Sequence, residues 1–253
     1  MKLKVSIASY SFHGLHGAKS MDVFGYMETI RHRYHVRGAD IWNGMIPTLE
    51  PEFLARIKNG LEERDLKLAN LCVDGPILWD DDAAKREANY KQMLEWLKAS
   101  IFLKAKTIRI DAGGRDKTWS NEQFDLIVKR YQEYAKFAHD NGFLVGPENH
   151  WGTENEPDNM KKLCEAVNHP GFGVLVHFKN TGEEKFAKWA MHSHISYDVC
   201  EKELEPKMKI LKDANYKGYW SVEHHSAKNE YDNVSIQLAR IRMQLAAWDG
   251  PAA

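Results

Sequence analysis

Carboxylate and imidazole side chains recur at four places in the second half of the chain, each at the end of a short apolar run. The runs are FLVGPENH, GVLVHFKN, MHSHISYD and YWSVEHH, and they deliver Glu148, His150, His177, His192, His194, Glu223 and His225. Side chains two residues apart share one face of a strand, which pairs Glu148 with His150, His192 with His194, and Glu223 with His225. Such mixed donors suit Mn²⁺, Co²⁺, Zn²⁺ or Fe²⁺, and Mg²⁺ less well. The runs therefore indicate a divalent metal site if the fold brings their ends together.

A purely structural role is the alternative for any one of these groups, because a buried polar side chain merely needs a hydrogen-bond partner. For Glu148 and Glu223 together that alternative is weaker. Two buried carboxylates that face each other repel unless a cation or a proton lies between them. His192 lies deeper in its run than His194, which favours a structural role for His192.

The elements that must position these residues are short strands alternating with helices along the whole chain. The apolar runs predict strands at 4–9, 37–41, 66–71, 107–111, 143–148, 173–177, 192–196 and 219–223. Periodicity of 3.6 residues predicts helices at 21–33, 51–64, 83–103, 120–141, 157–167, 183–189, 206–214 and 231–248. Ser120 and Gln123 are spaced as in a capping box, and Asn141-Gly142 is a typical helix end.

This alternation predicts an α/β fold with a parallel sheet, because parallel neighbours need crossover helices. Eight units in 253 residues favour a closed (β/α)8 TIM barrel, which typically needs about 250 residues. We therefore predict a single barrel domain over residues 1–253, with its active site at the carboxyl ends of the strands. A doubly wound open sheet is the alternative, but its nucleotide-binding signatures GxGxxG and GxxxxGK[ST] are missing from the sequence.

Composition narrows the class of protein. Hydrophobic residues make up 43% of the chain and charged residues 28%, which allows a large core and argues against disorder. A formal net charge of −1 offers no electrostatic case for binding nucleic acid. The three cysteines form no CxxC pair, the first twelve residues are interpreted as a strand, and no apolar run approaches the roughly 20 residues of a membrane span. We therefore expect a cytoplasmic protein with neither nucleic acid nor membrane as a partner.

The residues resemble those of the xylose isomerase-like barrels, and most of all the sugar phosphate isomerase/epimerase group with its ketose 3-epimerases, hydroxypyruvate isomerases and inosose dehydratases. The resemblance covers essentially the whole chain. It rests on strands that end in Glu, then an acidic position, then HxHxxxD, then Glu, and on the segments VSIASYSFH, GADIW and GVLV-x-F-x-N. It implies that Glu148, His177, His194 and Glu223 hold the metal.

One of these four positions departs from the family pattern. His177 stands where the family usually has Asp, and Lys179 replaces the Gly of the same segment. An imidazole in place of a carboxylate removes one negative charge and favours softer ions such as Zn²⁺, Co²⁺ or Fe²⁺. Lys179 either salt-bridges Glu148 or Glu223 or points into water.

The resemblance also implies an activity. A metal-dependent isomerase or epimerase of this kind removes a proton next to a carbonyl of a small carbohydrate or polyol-derived ketone. Glu148 and Glu223 would exchange protons with the substrate. The same enediolate leads to elimination by a lyase or dehydratase, for which His150 is the candidate acid. These outcomes stay open at this point.

Other residues are candidates for holding the substrate. His13, Trp42 and Arg109 are predicted to contact it, the tryptophan by stacking on an apolar face of the sugar. Asp40 and Asp111 are candidates for binding hydroxyls, and Trp79 for capping the site; each of these six side chains has a structural alternative in packing or capping. The lack of a glycine-rich phosphate loop favours an unphosphorylated substrate.

Two alternatives belong to other classes. A DNA-cutting barrel of the endonuclease IV kind needs more metal ligands and a basic groove, and the net charge of −1 argues against it. A metal-free binding or partner-dependent subunit is the second alternative, and His177 and Lys179 motivate it. A homo-oligomer is compatible with either reading.

Overall fold

Eight parallel strands form the centre of the protein, seen in a computed structural model that describes residues 4–178 and 181–249. The strands are β1 (Val5–Ala8), β2 (Gly38–Trp42), β3 (Lys67–Val73), β4 (Thr107–Ile110), β5 (Leu144–Gly146), β6 (Val174–His177), β7 (Ala190–Ile195) and β8 (Trp220–Val222). Almost every strand residue is buried, as in a sheet that is covered on both faces.

Helices cover the outside of this sheet. They are α1 (His13–Gly17), α2 (Val23–Glu28), α3 (Pro51–Glu63), α4 (Ala83–Phe102), α5 (Asn121–Asp140), α6 (Pro157–Val167), α7 (Tyr197–Lys202), α8 (Leu204–Asp213) and α9 (Glu230–Asp249). A π-helical turn (Thr29–Arg33) extends α2. Within the described ranges, no helix combines the length and the apolar character needed to cross a membrane.

The sheet closes on itself. Hydrogen-bonded neighbours follow the order β5-β4-β3-β2-β1-β8-β7-β6, and the two end strands meet through parallel bridges at Val145–Phe172 and Glu148–Leu175. At this seam the Leu175 N–H donates to the Pro147 carbonyl at 2.9 Å. A Cβ on Gly146 would lie 1.7 Å from the Gly173 carbonyl oxygen, so only glycine fits there. The eight strands therefore form the (β/α)8 TIM barrel that the alternation predicts.

Most predicted elements are confirmed, and one helix is wrong. The capping box of Ser120 and Gln123 is present, and α5 ends before Gly142 in the left-handed region. The predicted helix at 183–189 is instead two 3-10 turns, Glu183–Lys185 and Ala187–Trp189. Phe186 separates them with φ −126° and is fully buried, so packing outweighs the helical periodicity.

Candidate active site

Two glutamates and one histidine meet at the carboxyl ends of the strands. Glu148 follows β5, His194 lies in β7 and Glu223 follows β8, and all three are buried. Nδ1 of His194 lies 3.2 Å from Oε1 of Glu148 and 3.2 Å from Oε1 of Glu223. One donor atom from each residue lies within 4.8 Å of the others, which is close enough for a shared cation.

Three further imidazoles flank the two glutamates. His177 Nε2 and His225 Nε2 each lie 3.1 Å from Oε2 of Glu223, and these three residues form a second group of donors within 4.8 Å. His150 Nδ1 lies 3.8 Å from Oε2 of Glu148, and its ring stacks on that of His177 at 5.2 Å. Glu148 lies close to His150 and Glu223 lies close to His225, as predicted, but all four residues follow the strands β5 and β8 and do not share a strand face.

The His177–Glu223 contact is close but lacks the alignment of a hydrogen bond. Among the described residues, His177 Nε2 and Glu223 Oε2 are buried atoms without a hydrogen-bond partner. A buried polar atom left in this condition is costly unless another group satisfies it. These two atoms are therefore available to a ligand.

Asp40 holds His194 from inside the barrel. Its Oδ2 lies 2.9 Å from His194 Nε2, 2.8 Å from His192 Nε2 and 2.8 Å from Ser221 Oγ. The Nε2 side of the His194 ring faces Asp40, and the Nδ1 side therefore faces the two glutamates. A carboxylate behind a histidine commonly fixes the ring of a metal ligand in this way.

Arg109 lies on the other side of Glu148. Its Nε is 3.1 Å from Glu148 Oε2, and its Nη1 is 2.7 Å from both Asp111 and Asp74. The side chain is only 5% exposed. This buried guanidinium therefore compensates the charge of Glu148 and fixes its position.

These contacts set the charges of the central residues. Burial favours neutral carboxylates, but His194 and Arg109 outweigh it and lower the pKa of Glu148 to about 2. Glu223 follows the same balance, and its pKa lies well below the usual value because of His194 and the neighbouring imidazoles. Burial lowers the pKa of His194, but Glu223, Asp40 and Glu148 together raise it well above 6.5. A proton and a cation therefore compete for Nδ1 between two ionised carboxylates.

His150 has the opposite tendency. Burial lowers its pKa to about 4, although Glu148 acts in the other direction. The ring is therefore neutral at pH 7, where it can accept a proton or share a hydrogen bond.

A comparison with protein families agrees with this fold. Residues 24–243 match the family described as the xylose isomerase-like TIM barrel. This chain belongs to that family. No curated protein matches its sequence.

Solved structures share the xylose isomerase-like fold at low sequence identity. The 3-keto-D-glucoside 4-epimerase YcjR from E. coli has a TM-score of 0.73 at 16% identity, over 96% of this chain and 100% of that one. The probable 3-DHS dehydratase AsbF of petrobactin synthesis from Bacillus anthracis has a TM-score of 0.73 at 16% identity, over 95% and 99%. A xylose isomerase-like TIM barrel protein from Mycobacterium smegmatis, in complex with magnesium, has a TM-score of 0.68 at 11% identity, over 95% and 98%.

The residues predicted to bind substrate in this xylose isomerase-like barrel lie at different depths. His13 stacks on Tyr10 at 4.6 Å, and Tyr10 lies 6.1 Å from His225. Trp42 donates from Nε1 to Asp74 at 2.7 Å and is partly exposed at the mouth. Arg109 lies below them, against Glu148.

The remaining candidates are also placed. Asp40 is fully buried in the barrel, so its carboxylate orients histidines instead of facing a hydroxyl group of a substrate. His192 is fully buried against Asp40, and these two residues form a third group of donors with His194. Trp79 is 8% exposed and lies in the loop after β3. Lys179 lies outside the described residues.

Asn149 and Glu154 are part of the site although the sequence analysis assigned them no role. The Asn149 amide donates to the His177 carbonyl and accepts from the His177 N–H, both at 2.7 Å, and so fixes His177 across the seam. Its place directly after Glu148 is the signal that could have identified it. Glu154 accepts from the Ala112 N–H at 2.7 Å and is 1% exposed. No local pattern marks a buried acid in a loop.

Proposed function

We propose that this protein is a metal-dependent isomerase or epimerase that removes a proton next to a carbonyl of a small carbohydrate or polyol-derived ketone. One observation carries the proposal. Two ionised, buried glutamates from different strands lie 3.2 Å from the same His194 nitrogen at the mouth of the barrel. The epimerase and the probable dehydratase among the structural neighbours support a reaction of this type.

The donor atoms fit a divalent cation. Glu148, His194 and Glu223, whose donor atoms lie within 4.8 Å of one another, would hold it. His177, whose Nε2 lies 3.1 Å from Glu223, would be the fourth ligand. A bound ion would polarise the substrate carbonyl and stabilise negative charge on its oxygen. Two imidazoles among the ligands favour Mn²⁺, Co²⁺, Zn²⁺ or Fe²⁺ over Mg²⁺.

The two glutamates would also perform the proton transfers. One takes the proton from the carbon next to the carbonyl. For isomerisation the same glutamate returns that proton to the neighbouring carbon, and for epimerisation the other glutamate first takes a proton from solvent and then delivers it to the opposite face. Their low pKa values leave both ionised before substrate binds, so either one can be the acceptor. Asp40 keeps His194 in place, and Arg109 keeps Glu148 in place, so the acceptor oxygens are held before substrate arrives.

Elimination of water is the second candidate reaction. It needs an acid for the leaving group, and His150 is close enough to Glu148 for that role. The ring is neutral at pH 7, so it has no imidazolium proton to donate there. The metal-free subunit is disfavoured by the convergence of three donor atoms.

The test combines metal analysis with solvent-deuterium exchange. The purified protein is expected to hold a near-stoichiometric transition metal and to exchange the α-hydrogen of at least one keto-sugar in D2O, followed by proton NMR. Glu148→Gln and Glu223→Gln should each slow exchange by about 10²–10⁴-fold, the usual contribution of a positioned acid or base. Glu122→Gln, at an exposed glutamate in α5, is the control. Unchanged exchange in both active-site variants would overturn the mechanism.

A further inference from the structure

A large cavity adjoins the candidate active site on the Glu148 side. Its volume is about 920 Å³, and it lies among the loops that follow β3, β4 and β5. This is near the upper end of the roughly 300–1,000 Å³ of ligand pockets. The cavity therefore has room for more than one sugar ring. We call it the Trp151 cavity; the lining residues used below are Asp74, Asp111, Arg115, Trp151 and Glu154.

Two routes connect the Trp151 cavity to the reaction centre. Asp74 and Asp111 in its wall both contact Arg109, which contacts Glu148. On the other route, the Trp151 ring lies 4.4 Å from the His150 ring, which stacks on His177. The Arg109 side chain therefore separates this cavity from Glu148, and the Trp151 ring separates it from His150. We place the non-reacting end of a substrate held at Glu148 and Glu223 on this side of the site.

The charge of the cavity limits what it can take. Seven acidic side chains line it against two cations, namely Asp74, Asp80, Asp81, Asp82, Asp111, Asp116 and Glu154 against Lys85 and Arg115. Burial raises the pKa of Asp111 and Glu154, but the other five acidic groups still outnumber the two cations. A phosphate or carboxylate would enter a negative potential and lose hydration without a matching set of donors. Hydroxyl groups have no such penalty and donate to carboxylate oxygens.

Two side chains point to a ligand. Trp151 is 57% exposed, unusual for a large aromatic ring, and its face is open to a sugar's C–H groups, which prefer the negative face of an aromatic ring. The Asp111 side chain is 9% exposed, and its Oδ1 makes no hydrogen bond within the described part of the chain. A carboxyl oxygen in a cavity wall that lacks a hydrogen-bond partner accepts a hydrogen bond from a hydroxyl group at little cost.

We propose that the Trp151 cavity binds a second, uncharged sugar ring, and that the substrate is therefore a keto-glycoside instead of a free or phosphorylated keto-sugar. The keto ring lies between Glu148 and Glu223, and the second ring stacks on Trp151 and hydrogen-bonds to Asp111. This inference rests on the proposed function for the place of the keto ring. The structure supplies the second ring's site independently of any catalytic step.

The experiment measures binding of sugars without a ketone. Cellobiose, maltose, lactose, glucose and glucose 6-phosphate are titrated into the full chain by calorimetry. At least one disaccharide is expected to bind about tenfold or more tighter than glucose, and glucose 6-phosphate no tighter than glucose. Trp151→Ala should remove that gain without changing glucose binding, because an exposed ring carries little of the fold.

Met243→Ala is the matched control, since Met243 is a large exposed side chain (71%) on α9. It should keep the full gain. Equal affinities for glucose and all three disaccharides, a gain that survives in Trp151→Ala, or preferred binding of glucose 6-phosphate would each overturn the proposal. Because binding of these sugars needs neither turnover nor proton transfer, failure of the exchange assay would leave this result standing, and the converse holds.

Discussion

His177 stands where the resemblance implies an acidic ligand, and its ring lies between His150 and Glu223. We predict that His177→Asp shifts metal preference toward hard ions. A third carboxylate adds charge repulsion that a cation relieves, and oxygen donors suit Mn²⁺ better than Zn²⁺. The ratio of Mn²⁺ to Zn²⁺ affinity should rise by roughly tenfold, equal to about 1.4 kcal/mol.

Competition titrations with both ions measure this ratio. His177→Asn is the control, because it removes the imidazole and adds no charge. It should weaken the binding of both ions and leave the ratio nearer to that of the original protein. If the Asp and Asn variants give the same ratio, His177 is not a ligand that selects the metal.

Single residues differ in how well the sequence predicts them. Glu148, His194 and Glu223 were found because each ends a strand, and a barrel brings strand ends to one mouth. Asp40 was predicted only as a group for hydroxyls, although it is the carboxylate that fixes His194. Strand alternation gives the face of a side chain, whereas its depth in the barrel depends on register. A bulge between Ala39 and Asp40 changes that register in β2.

At the scale of elements, Asp40 links four strands inside the barrel. It lies on β2, accepts from Asn70 on β3 at 2.8 Å, and contacts β7 through His192 and His194 and β8 through Ser221. All of these groups are fully buried or nearly so. Charged and neutral donors from three other strands therefore converge on the single carboxylate of Asp40 in the interior of the barrel.

We predict that Asp40→Asn lowers the free energy of unfolding by about 3–5 kcal/mol, because it breaks the buried ion pair between Asp40 and His194. Ser221→Ala removes a single hydrogen bond to the same oxygen and should cost about 1.5–3 kcal/mol. Guanidinium unfolding measures both. Equal losses in the two variants would mean that the carboxylate's charge does not matter to the barrel.

Long helices with a regular local pattern are the easiest elements to predict. The capping box, α4, α5 and α9 all follow from local pattern. The helix predicted at 183–189 is wrong because residues in this segment make separate long-range contacts. Glu183 is buried in an ion pair with Lys207 at 2.9 Å, and Phe186 is buried with it. Such long-range contacts leave no trace in the local sequence.

For the whole molecule, the distribution of charge says more than its sum. The net charge of −1 is close to balance, yet the acidic groups beside the site outnumber the cations near them. A single guanidinium, that of Arg109, is in contact with three carboxylates, Glu148, Asp111 and Asp74. Glu154 lies buried in the same region. One guanidinium cannot compensate all of these carboxylates, so part of the cluster keeps its protons.

This excess of acid makes stability depend on pH. Burial raises the pKa of Asp111 to about 7, although Arg109 opposes it, and burial together with Asp111 raises the pKa of Glu154 well above 4.5. A carboxyl whose pKa is raised by folding stabilises the protein fully below its unfolded value, near 4. That contribution is lost as pH rises through the folded value. Because of Asp111 and Glu154, the free energy of unfolding should fall as the pH rises from about 4 to about 8, and it should continue to fall above pH 8.

Glu154→Gln tests the sign of this effect. The amide keeps an oxygen for the Ala112 N–H, which donates to Glu154 at 2.7 Å, and it carries no charge at any pH. We therefore predict that the variant matches the original protein at pH 4 and has the higher guanidinium midpoint at pH 9, while Glu122→Gln at an exposed site follows the original protein throughout. Midpoint curves for Glu154→Gln and the original protein that run parallel from pH 4 to pH 9 would show that Glu154 does not hold its proton on folding. The charge of the cavity wall would then be more negative than this balance implies.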